Sequence, residues 1–377
     1  MSNSIRNTPS LTSGKQDIRM ADTAQNRERL KKAAAEDGKP SILAKQGNDL
    51  LLLSGAYRTE SKIVRHSADE AISKGDTLKV DGKTAEVLHT DDGLTEVDLS
   101  KVTVAVIDSG LDEDHPAFSK SEILPGYNAK TKKNEVGQFF SHGTHVAGIV
   151  AGSLPEKGVH GVAQGATLLP IEFGTSTIYN PKMFSRVADS VRHAVDNGAK
   201  VINLSMGTQT NNLILGGLHK KGIKALEEAL DYAEAKGVVV VVAAGNNRNG
   251  SKDKDNVNFP ATHPTVIAVS NLDTTTPEDG HSLSPNSSIG PAVDLAAPGT
   301  DIVSAVKKGK VDEMSGTSMA APYVAGVVAQ IIARHPDWTP SQIRDHLAET
   351  AQDMGTPGKD IRYGHGAVDP IKAIFTE

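Results

Sequence analysis

The chain of 377 residues contains no cysteine, and only 4% of its residues are aromatic. Without cysteine there can be no disulfide framework, no Cys-ligated zinc or iron–sulfur centre and no thiol nucleophile. A strong charge of one sign is also missing, because the formal net charge is only −6. Such a chain has no overall attraction to nucleic acid or to an anionic membrane, so we expect neither as a partner.

Long apolar runs are missing too. The longest, at 238–244 and 326–333, are far shorter than the roughly 20 residues that cross a bilayer. The first residues, MSNSIRNTPSLTSGKQ, contain no apolar core of signal-peptide length. We therefore expect a soluble protein that is cytoplasmic or exported without a cleavable signal peptide. The hydrophobic fraction of 38% is sufficient for a packed core, so global disorder is not expected.

The first 100 residues divide into two parts. Residues 1–40 have no aromatic side chain and begin with many Ser, Thr and Asn residues, which is typical of a disordered tail. Helix formers over 24–37 favour one short helix there. Residues 41–100 contain short apolar or alternating runs, and VDGKTAEV predicts a hairpin with its turn at Asp81-Gly82. We expect a small β-rich unit over 41–100, with a helix near 68–74.

From residue 101 the pattern changes to a repeated strand, loop and helix. VTVAVIDSG is a nearly continuous β-branched run, typical of a strand buried on both faces. Later strand-like segments are ATLLPIEF, KVINLSMG, VVVVVAAG and TVIAVSNLD, and helix-like segments are MFSRVADSVRHAVDNG and KALEEALDYAEAKG. The alternation predicts an α/β fold with a mostly parallel sheet flanked by helices on both faces.

Polar or small residues follow several of these strands. Asp108 follows VTVAVI, Ser205, Met206 and Gly207 follow KVINL, and Asn246 follows VVVVVAAG. In open α/β sheets, sites form at the carboxyl ends of the strands. We therefore expect these residues to meet at one edge of the sheet.

Three segments together supply the side chains that a hydroxyl nucleophile needs. VAVIDSGLDEDHP contains Asp108, SHGTHVAGIVAG contains His142, and MSGTSMAAPYVAG contains Ser318. A serine hydroxyl needs a base to accept its proton, and an imidazole base needs a carboxylate to fix its tautomer and stabilise the imidazolium. The chain order Asp–His–Ser is one of the known arrangements of such a triad.

These segments resemble the signature blocks of the subtilisin-like serine peptidases, the subtilases. The likeness covers residues 101–377 and includes DSG followed by HP, HGTHVAG, GTSMAAPYVAG and VVVAAGN. It implies a subtilisin-like catalytic domain in which Ser318 is the nucleophile. His142 would be the general base and Asp108 its orienting carboxylate, while Asn246 and the Ser318 backbone N–H would form the oxyanion hole. The implied activity is a serine endopeptidase that cleaves extended peptide or protein substrates through an acyl-enzyme.

The resemblance also implies a substrate pocket. Ser205, Met206 and Gly207 would line the pocket for the residue before the scissile bond. Asn258 would form its floor, where many relatives have glycine, and this larger polar floor favours a small or polar side chain. Residues 181–185 align with the family's edge strand that pairs with the substrate backbone.

Two positions depart from the family's calcium pattern. Ala117 stands where relatives with a high-affinity site carry Asp, and Pro155 lies near the point where their calcium loop offers Asn. Because calcium takes several oxygen ligands, including carboxylates, we expect the usual site to be missing or weak. The sequence therefore predicts no metal and no cofactor.

The join to the first catalytic strand also differs from the family pattern. Relatives usually have a longer segment, often with Trp, between the propeptide and that strand. Here LTEVDLSKVTVAVIDSG leads directly into it. Residues 41–100 are therefore either an inhibitory intramolecular propeptide or a permanent accessory unit.

Each candidate residue also has a purely structural interpretation. Asp108 and Asn246 fit turns, and Ser318 fits a helix N-cap. His142 and His145 are three residues apart, but metal-binding helices more often space two histidines by four with a Glu between them, so His145 is expected to be a structural neighbour. The joint occurrence in family order favours the triad. Two alternatives stay open: a dedicated maturation protease or peptide ligase, and a catalytically silent peptide-binding homologue.

Overall fold

The computed structural model describes residues 98–375, apart from 138–139, 175–179, 181, 209–212, 248–254 and 274–281. For 213–219, 371 and 375 it describes the backbone only, and within 1–97 it describes the backbone of short strands. The chain forms two compact units, Met1–Val97 with Phe375–Glu377, and Asp98–Ile374.

The N-terminal unit contains a six-stranded sheet. Its strands are β1 (Ser10–Leu11), β2 (Ile18–Ala21), β3 (Ile42–Gln46), β4 (Asp49–Leu53), β5 (Thr77–Val80) and β6 (Lys83–Thr90), in the order β1-β5-β6-β3-β4-β2. β1 is parallel to β5, and the other pairs are antiparallel. Val80 pairs with Lys83, which confirms the hairpin across Asp81-Gly82.

Two of these strands lie where the composition predicts a disordered tail. β2 pairs with β4 from Ile18 opposite Leu52 to Ala21 opposite Asp49, and β1 pairs with β5. The prediction is therefore wrong for β1 and β2, because these segments find backbone partners elsewhere in the sheet. The helices predicted near 24–37 and 68–74 lie outside the described residues.

The second unit is built on an eight-stranded sheet. Its order is β15-β14-β13-β12-β7-β11-β8, with β16 also paired to β14. The members are β7 (Thr103–Asp108), β8 (Tyr127–Asn128), β11 (Thr167–Glu172), β12 (Val201–Leu204), β13 (Val239–Ala243), β14 (Ile267–Asp273), β15 (Ser282–Leu283) and β16 (Leu295–Pro298). Every pair is parallel except β14 with β15, which confirms the predicted, mostly parallel sheet.

Two antiparallel hairpins lie outside this sheet. They are β9 (Ser153–Leu154) with β10 (Val159–His160), and β17 (Ile302–Val306) with β18 (Lys310–Met314). Three short 3₁₀ helices cover Leu99–Lys101, Pro116–Phe118 and Pro155–Lys157.

Helices cover both faces of the large sheet. They are α1 (His142–Ala151), α2 (Met183–Asp196), α3 (Leu213–Ala235), α4 (Thr317–Arg334), α5 (Pro340–Thr350) and α6 (Pro370–Phe375). Alternate residues of the central strands, such as Ala105, Ile202 and Val240, share one buried cluster with α2 and α3. Since side chains alternate along a strand, the intervening residues face the side on which α1 and α4 pack.

One predicted strand is a helix. Residues 183–185 were aligned with a substrate-pairing edge strand, but they form the first turn of α2. The prediction is wrong because α2 buries one helical face, whose residues include Met183, Phe184, Val187 and Val191.

Candidate active site

The carboxyl ends of three neighbouring strands bring the predicted residues to one edge of the sheet. Asp108 is the last residue of β7, Ser205 directly follows β12, and Asn246 follows β13. β12 lies between β7 and β13. His142 is the first residue of α1, and Ser318 is the second residue of α4. The expected convergence at this edge is therefore present.

Asp108 and His142 form a close pair. The His142 Nδ1 atom lies 2.9 Å from both Oδ1 and Oδ2 of Asp108. Asp108 is 3% exposed. Because an ionised carboxylate only accepts hydrogen bonds, Nδ1 carries the donated proton and Nε2 keeps its lone pair. The negative charge of Asp108 raises the pKa of His142 above its usual 6.5, against the opposing effect of burial.

A glycine allows this close approach. A Cβ atom at Gly143 would lie 2.1 Å from the Gly110 carbonyl oxygen and 3.2 Å from the Asp108 Cβ. The start of α1 can therefore lie directly against the end of β7 only because residue 143 has no side chain. This contact places His142 within reach of Asp108.

Ser205 and Ser318 hold each other through reciprocal hydrogen bonds. The Ser318 hydroxyl donates to the Ser205 carbonyl oxygen at 3.3 Å, and the Ser205 hydroxyl donates to the Ser318 carbonyl oxygen at 2.8 Å. In this part of the described chain, the Ser318 hydroxyl is thus bonded to Ser205 and not to the His142 ring.

Asn246 is oriented by Thr317. Its Oδ1 atom accepts from the Thr317 backbone N–H at 3.0 Å and from the Thr317 hydroxyl at 3.2 Å. This leaves Nδ2 as a donor. The N–H groups of Thr317, Met319 and Ala320 all have acceptors. Among the described residues the Ser318 N–H has none, so two donors are free beside the Ser318 hydroxyl.

These groups line one cavity of about 270 Å³. Its walls include every residue that the sequence predicts for the pocket. The lining residues are Phe173, Met183, Ser205, Met206, Gly207, Ala243, Gly245, Asn246, Asn258, Thr317 and Ser318.

Asn258 lies between two glycines of this cavity. A Cβ atom on Gly207 would be 2.9 Å from the Asn258 Cβ, and one on Gly245 would be 2.6 Å from the Asn258 Nδ2. The Asn258 Oδ1 accepts from Asn247 Nδ2 at 2.6 Å. The side chain is therefore fixed, with its oxygen occupied and its amide nitrogen against Gly245.

Comparison with known proteins identifies the family of this chain. The model of the subtilase family matches residues 100–366. The chain is 36% identical over 270 residues to Subtilisin NAT of Bacillus subtilis subsp. natto, which covers 72% of this chain and 65% of that protein. The chain belongs to the subtilase family. It thus spans less than two thirds of the length of this relative.

Solved structures show the same fold for this subtilase. The crystal structure of MycP1 with its N-terminal propeptide removed matches with a TM-score of 0.62 and 30% identity, over 74% of this chain and 93% of that one. The prenylagaramide maturation protease PagA matches with a TM-score of 0.58 and 26% identity, over 73% and 92% of the two chains. The predicted subtilisin-like fold is therefore confirmed.

Several residues that support the site in this subtilase were not found from the sequence. Phe173 lines the cavity and is the last residue of the strand-like segment ATLLPIEF, so the strand-end rule could have found it. Met183 also lines the cavity, but it begins α2 and lies within the range 181–185 that the family resemblance relates to the substrate. Glu172 is 3% exposed, lies opposite Asp108 in the β7–β11 register, and accepts from the Gly137 N–H at 2.8 Å. It thereby holds the backbone at Gly137. Nothing in its local sequence indicates this contact.

His145 is a buried structural residue, as expected. Its Nε2 atom lies 2.9 Å from the Ile302 carbonyl oxygen and 3.1 Å from that of Asp312. Because carbonyls only accept, Nε2 carries the proton. Burial lowers the pKa of His145 to about 4, so the ring is neutral at pH 7.

The positions that bear on metal and membrane binding are also described. Ala117 is buried in the 3₁₀ helix Pro116–Phe118, and Pro155 opens the helix Pro155–Lys157. Within the described ranges, no group of three or more His, Asp or Glu side chains is placed to hold a metal ion. In the same ranges, no helix has the length and apolarity required to cross a bilayer.

Proposed function

We propose that this subtilase is a serine endopeptidase with Ser318 as nucleophile, His142 as base and Asp108 as orienting carboxylate. The observation that carries the proposal is the contact of His142 Nδ1 with both Asp108 oxygens at 2.9 Å. It leaves Nε2 unprotonated on the same sheet edge as the Ser318 hydroxyl. The free N–H of Ser318 and the Nδ2 of Asn246 complete an oxyanion site beside that hydroxyl.

The proposed reaction begins when the Ser318 hydroxyl turns from the Ser205 carbonyl to His142 Nε2. Its proton passes to Nε2 as the Oγ–carbon bond forms and the carbonyl electron pair moves onto oxygen. Asn246 Nδ2 and the Ser318 N–H stabilise that oxyanion. The imidazolium, stabilised by Asp108, then protonates the leaving amine as the C–N bond breaks. In the second half of the reaction, a water molecule gives a proton to His142 Nε2 as its oxygen attacks the acyl carbon. His142 then returns that proton to the Ser318 oxygen as the ester bond breaks.

Active-site labelling tests this assignment. A fluorophosphonate probe reacts with an activated serine and should label the protein, either intact or without residues 1–100. Ser318→Ala should abolish labelling, while Ser315→Ala, which removes a hydroxyl bonded to Asp301, should leave it unchanged. A correctly folded protein that labels neither with nor without residues 1–100 would refute the peptidase proposal and favour the silent peptide-binding homologue.

We infer that the substrate side chain before the scissile bond is small or polar. Support comes from Asn258, which occupies the space between Gly207 and Gly245 and presents amide N–H groups. A side-chain oxygen of the substrate would pair with them, whereas a large apolar group would leave a buried donor unsatisfied. Profiling with a peptide library should show this preference, and Asn258→Gly should shift it towards larger apolar residues. An unchanged profile would exclude Asn258 as the determinant.

A narrower role in peptide maturation is a second candidate. It is favoured by the structural likeness to the maturation protease PagA. Such an enzyme would cleave few sequences, and a ligase would pass the acyl group to an amine instead of water. Mass analysis of products formed with and without an added amine distinguishes the two acceptors.

The N-terminal unit is proposed to be either an inhibitory propeptide or a permanent accessory unit. Both proposals rest on its separate sheet, and the first also on the MycP1 structure, from which an N-terminal propeptide was removed. Intact mass of the purified protein separates them. A new N-terminus near Leu99 indicates processing, and an uncleaved, active chain indicates an accessory unit.

A further inference from the structure

A buried asparagine interrupts an otherwise apolar strand. β12 has the sequence Val-Ile-Asn-Leu, and all four residues are buried. Asn203 is fully buried, and among the described residues its Oδ1 atom has no hydrogen-bond partner. An unpaired buried oxygen destabilises a fold, so the strand itself gains nothing from this amide.

The Asn203 amide points to a second residue. Its Nδ2 atom donates to the Ser205 hydroxyl oxygen at 3.0 Å. Since this lone pair is occupied, the Ser205 hydroxyl is directed to donate its own hydrogen, and its acceptor is the Ser318 carbonyl oxygen at 2.8 Å. The hydrogen bonds therefore run in one direction, from Asn203 through Ser205 to Ser318.

The Ser318 carbonyl needs this donor because of a proline. In an α-helix, the carbonyl of residue 318 accepts from the N–H of residue 322. Residue 322 of α4 is proline, which has no N–H. The Ser205 hydroxyl thus supplies, from the neighbouring strand end, the hydrogen bond that the helix itself cannot form.

We propose that Asn203 and Ser205 are positioning residues that hold the Ser318 backbone, and with it the hydroxyl and the oxyanion N–H, in register with His142. This proposal rests on the proposed function, in which Ser318 is the nucleophile. Asn203 does not line the cavity, so it acts only through Ser205. Misplacing a reacting group by about 1 Å can cost on the order of 10²-fold in rate.

A matched pair of variants at Ser205 isolates the hydroxyl. Ser205→Thr keeps the hydroxyl, and Ser205→Val has nearly the shape of threonine but lacks the hydroxyl. We expect Ser205→Val to lower kcat by roughly 10-fold to 10²-fold and Ser205→Thr to restore most of the loss. KM should change much less than kcat. The acid limb of the pH–rate profile should stay in place, because neither Asp108 nor His142 is altered.

Asn203→Leu separates positioning from stability. It removes the unpaired oxygen from an apolar environment, so Tm should be unchanged or higher, while kcat falls by a smaller factor than in Ser205→Val. The double variant should be no slower than Ser205→Val alone, because both changes break one chain of hydrogen bonds. Ser270→Ala removes a fully buried hydroxyl from β14 and should leave kcat unchanged.

Pro322→Ala provides the decisive measurement. It returns an N–H to the position that faces the Ser318 carbonyl, so it should recover part of the kcat lost in Ser205→Val. Unchanged kcat in Ser205→Val and Asn203→Leu, or no recovery on adding Pro322→Ala, would overturn the proposal. If the unaltered protein fails to label with a fluorophosphonate both with and without residues 1–100, the proposed function itself fails. If the unaltered protein labels normally and all these variants label at the same rate, only the positioning role is refuted.

Discussion

The stability of the catalytic unit should fall in mild acid because of His145. The ring is fully buried, its Nε2 is bonded to backbone carbonyls of Ile302 and Asp312, and among the described residues its Nδ1 has no partner. Burial is the main cause of its lowered pKa of about 4, the charge of His142 lowers it further, and Asp312 opposes the shift. Protonation would place a charge on a ring that has no acceptor for a second proton.

The magnitude follows from the two pKa values. In the unfolded chain the group titrates near 6.5, and in the folded chain near about 4. Below 6.5 the unfolded state therefore takes up a proton that the folded state does not bind, so stability decreases as the pH falls through this window. The full difference corresponds to about 3 kcal/mol, and the part lost between about pH 7 and about pH 4.5 is roughly 2 kcal/mol.

Denaturant unfolding at several pH values measures this effect. Ser318→Ala should serve as the background, because it prevents self-digestion. Trp338 is the only tryptophan of the chain and stacks on His335 in the catalytic unit, so its fluorescence reports the unfolding of that unit. His145→Asn should be less stable at neutral pH but lose roughly 2 kcal/mol less on acidification. Parallel pH profiles for the two proteins would refute the reasoning, since all other histidines are the same in both.

Three further predictions concern the site, and a fourth concerns calcium. Asp108→Asn should lower kcat on the order of 10⁴-fold, and a proton NMR titration should show the pKa of His142 falling, because the charge that raises it is gone; an unmoved pKa would contradict the assigned cause. In the unaltered protein, kcat/KM should rise with pH through a pKa above 6.5, since His142 must be neutral to accept the proton. Asn246→Leu should reduce kcat by about 10²–10³ with little change in KM, and steady-state kinetics would disprove the oxyanion role if kcat were retained. A chelator should leave Tm and activity nearly unchanged, because Ala117 and Pro155 stand where calcium ligands are expected; a large fall in Tm would show a calcium site.

The parts of this molecule that local chemistry determines could be predicted from the sequence. The continuous β-branched run of β7 identifies a strand buried on both faces, and the residue that ends it is Asp108. The cap of α5 is equally local. Thr339 accepts from the Gln342 N–H, and the Gln342 side chain accepts from the Thr339 N–H, as the sequence TPSQ predicts.

The parts of the molecule that depend on partners distant in sequence could not be predicted from the sequence. Ile18 becomes part of a strand only because it pairs with Leu52, and a polar, aromatic-free segment carries no signal of that pairing. The start of α3 at Leu213 was also missed, since the segment LILGGLHKKG contains glycines that disfavour a helix. The bond from the Ser205 hydroxyl to the Ser318 carbonyl joins positions far apart in sequence, and it follows from the packing of α4 against β12.

Contacts between distant residues also explain how a chain without cysteine holds the aspartate, histidine and serine blocks close together. The β17–β18 hairpin ends shortly before Ser318, and buried polar side chains bond it to the other two blocks. From the aspartate block, Asp112 accepts from the Lys308 N–H at 2.6 Å, and His115 Nε2 donates to the Lys310 carbonyl at 2.8 Å.

From the histidine block, His145 donates to carbonyls on both strands of that hairpin. Each of these bonds joins a buried side chain to a backbone group of the hairpin, so it fixes the path of the backbone there. Protonation of His145 would keep the Nε2 bonds but place a charge on a buried ring whose Nδ1 atom has no acceptor among the described residues, so it would destabilise the junction between the α1 helix that carries His142 and the hairpin that leads to Ser318. Acid should consequently lower the stability at this junction, whereas the backbone hydrogen bonds of the sheet contain no group that titrates.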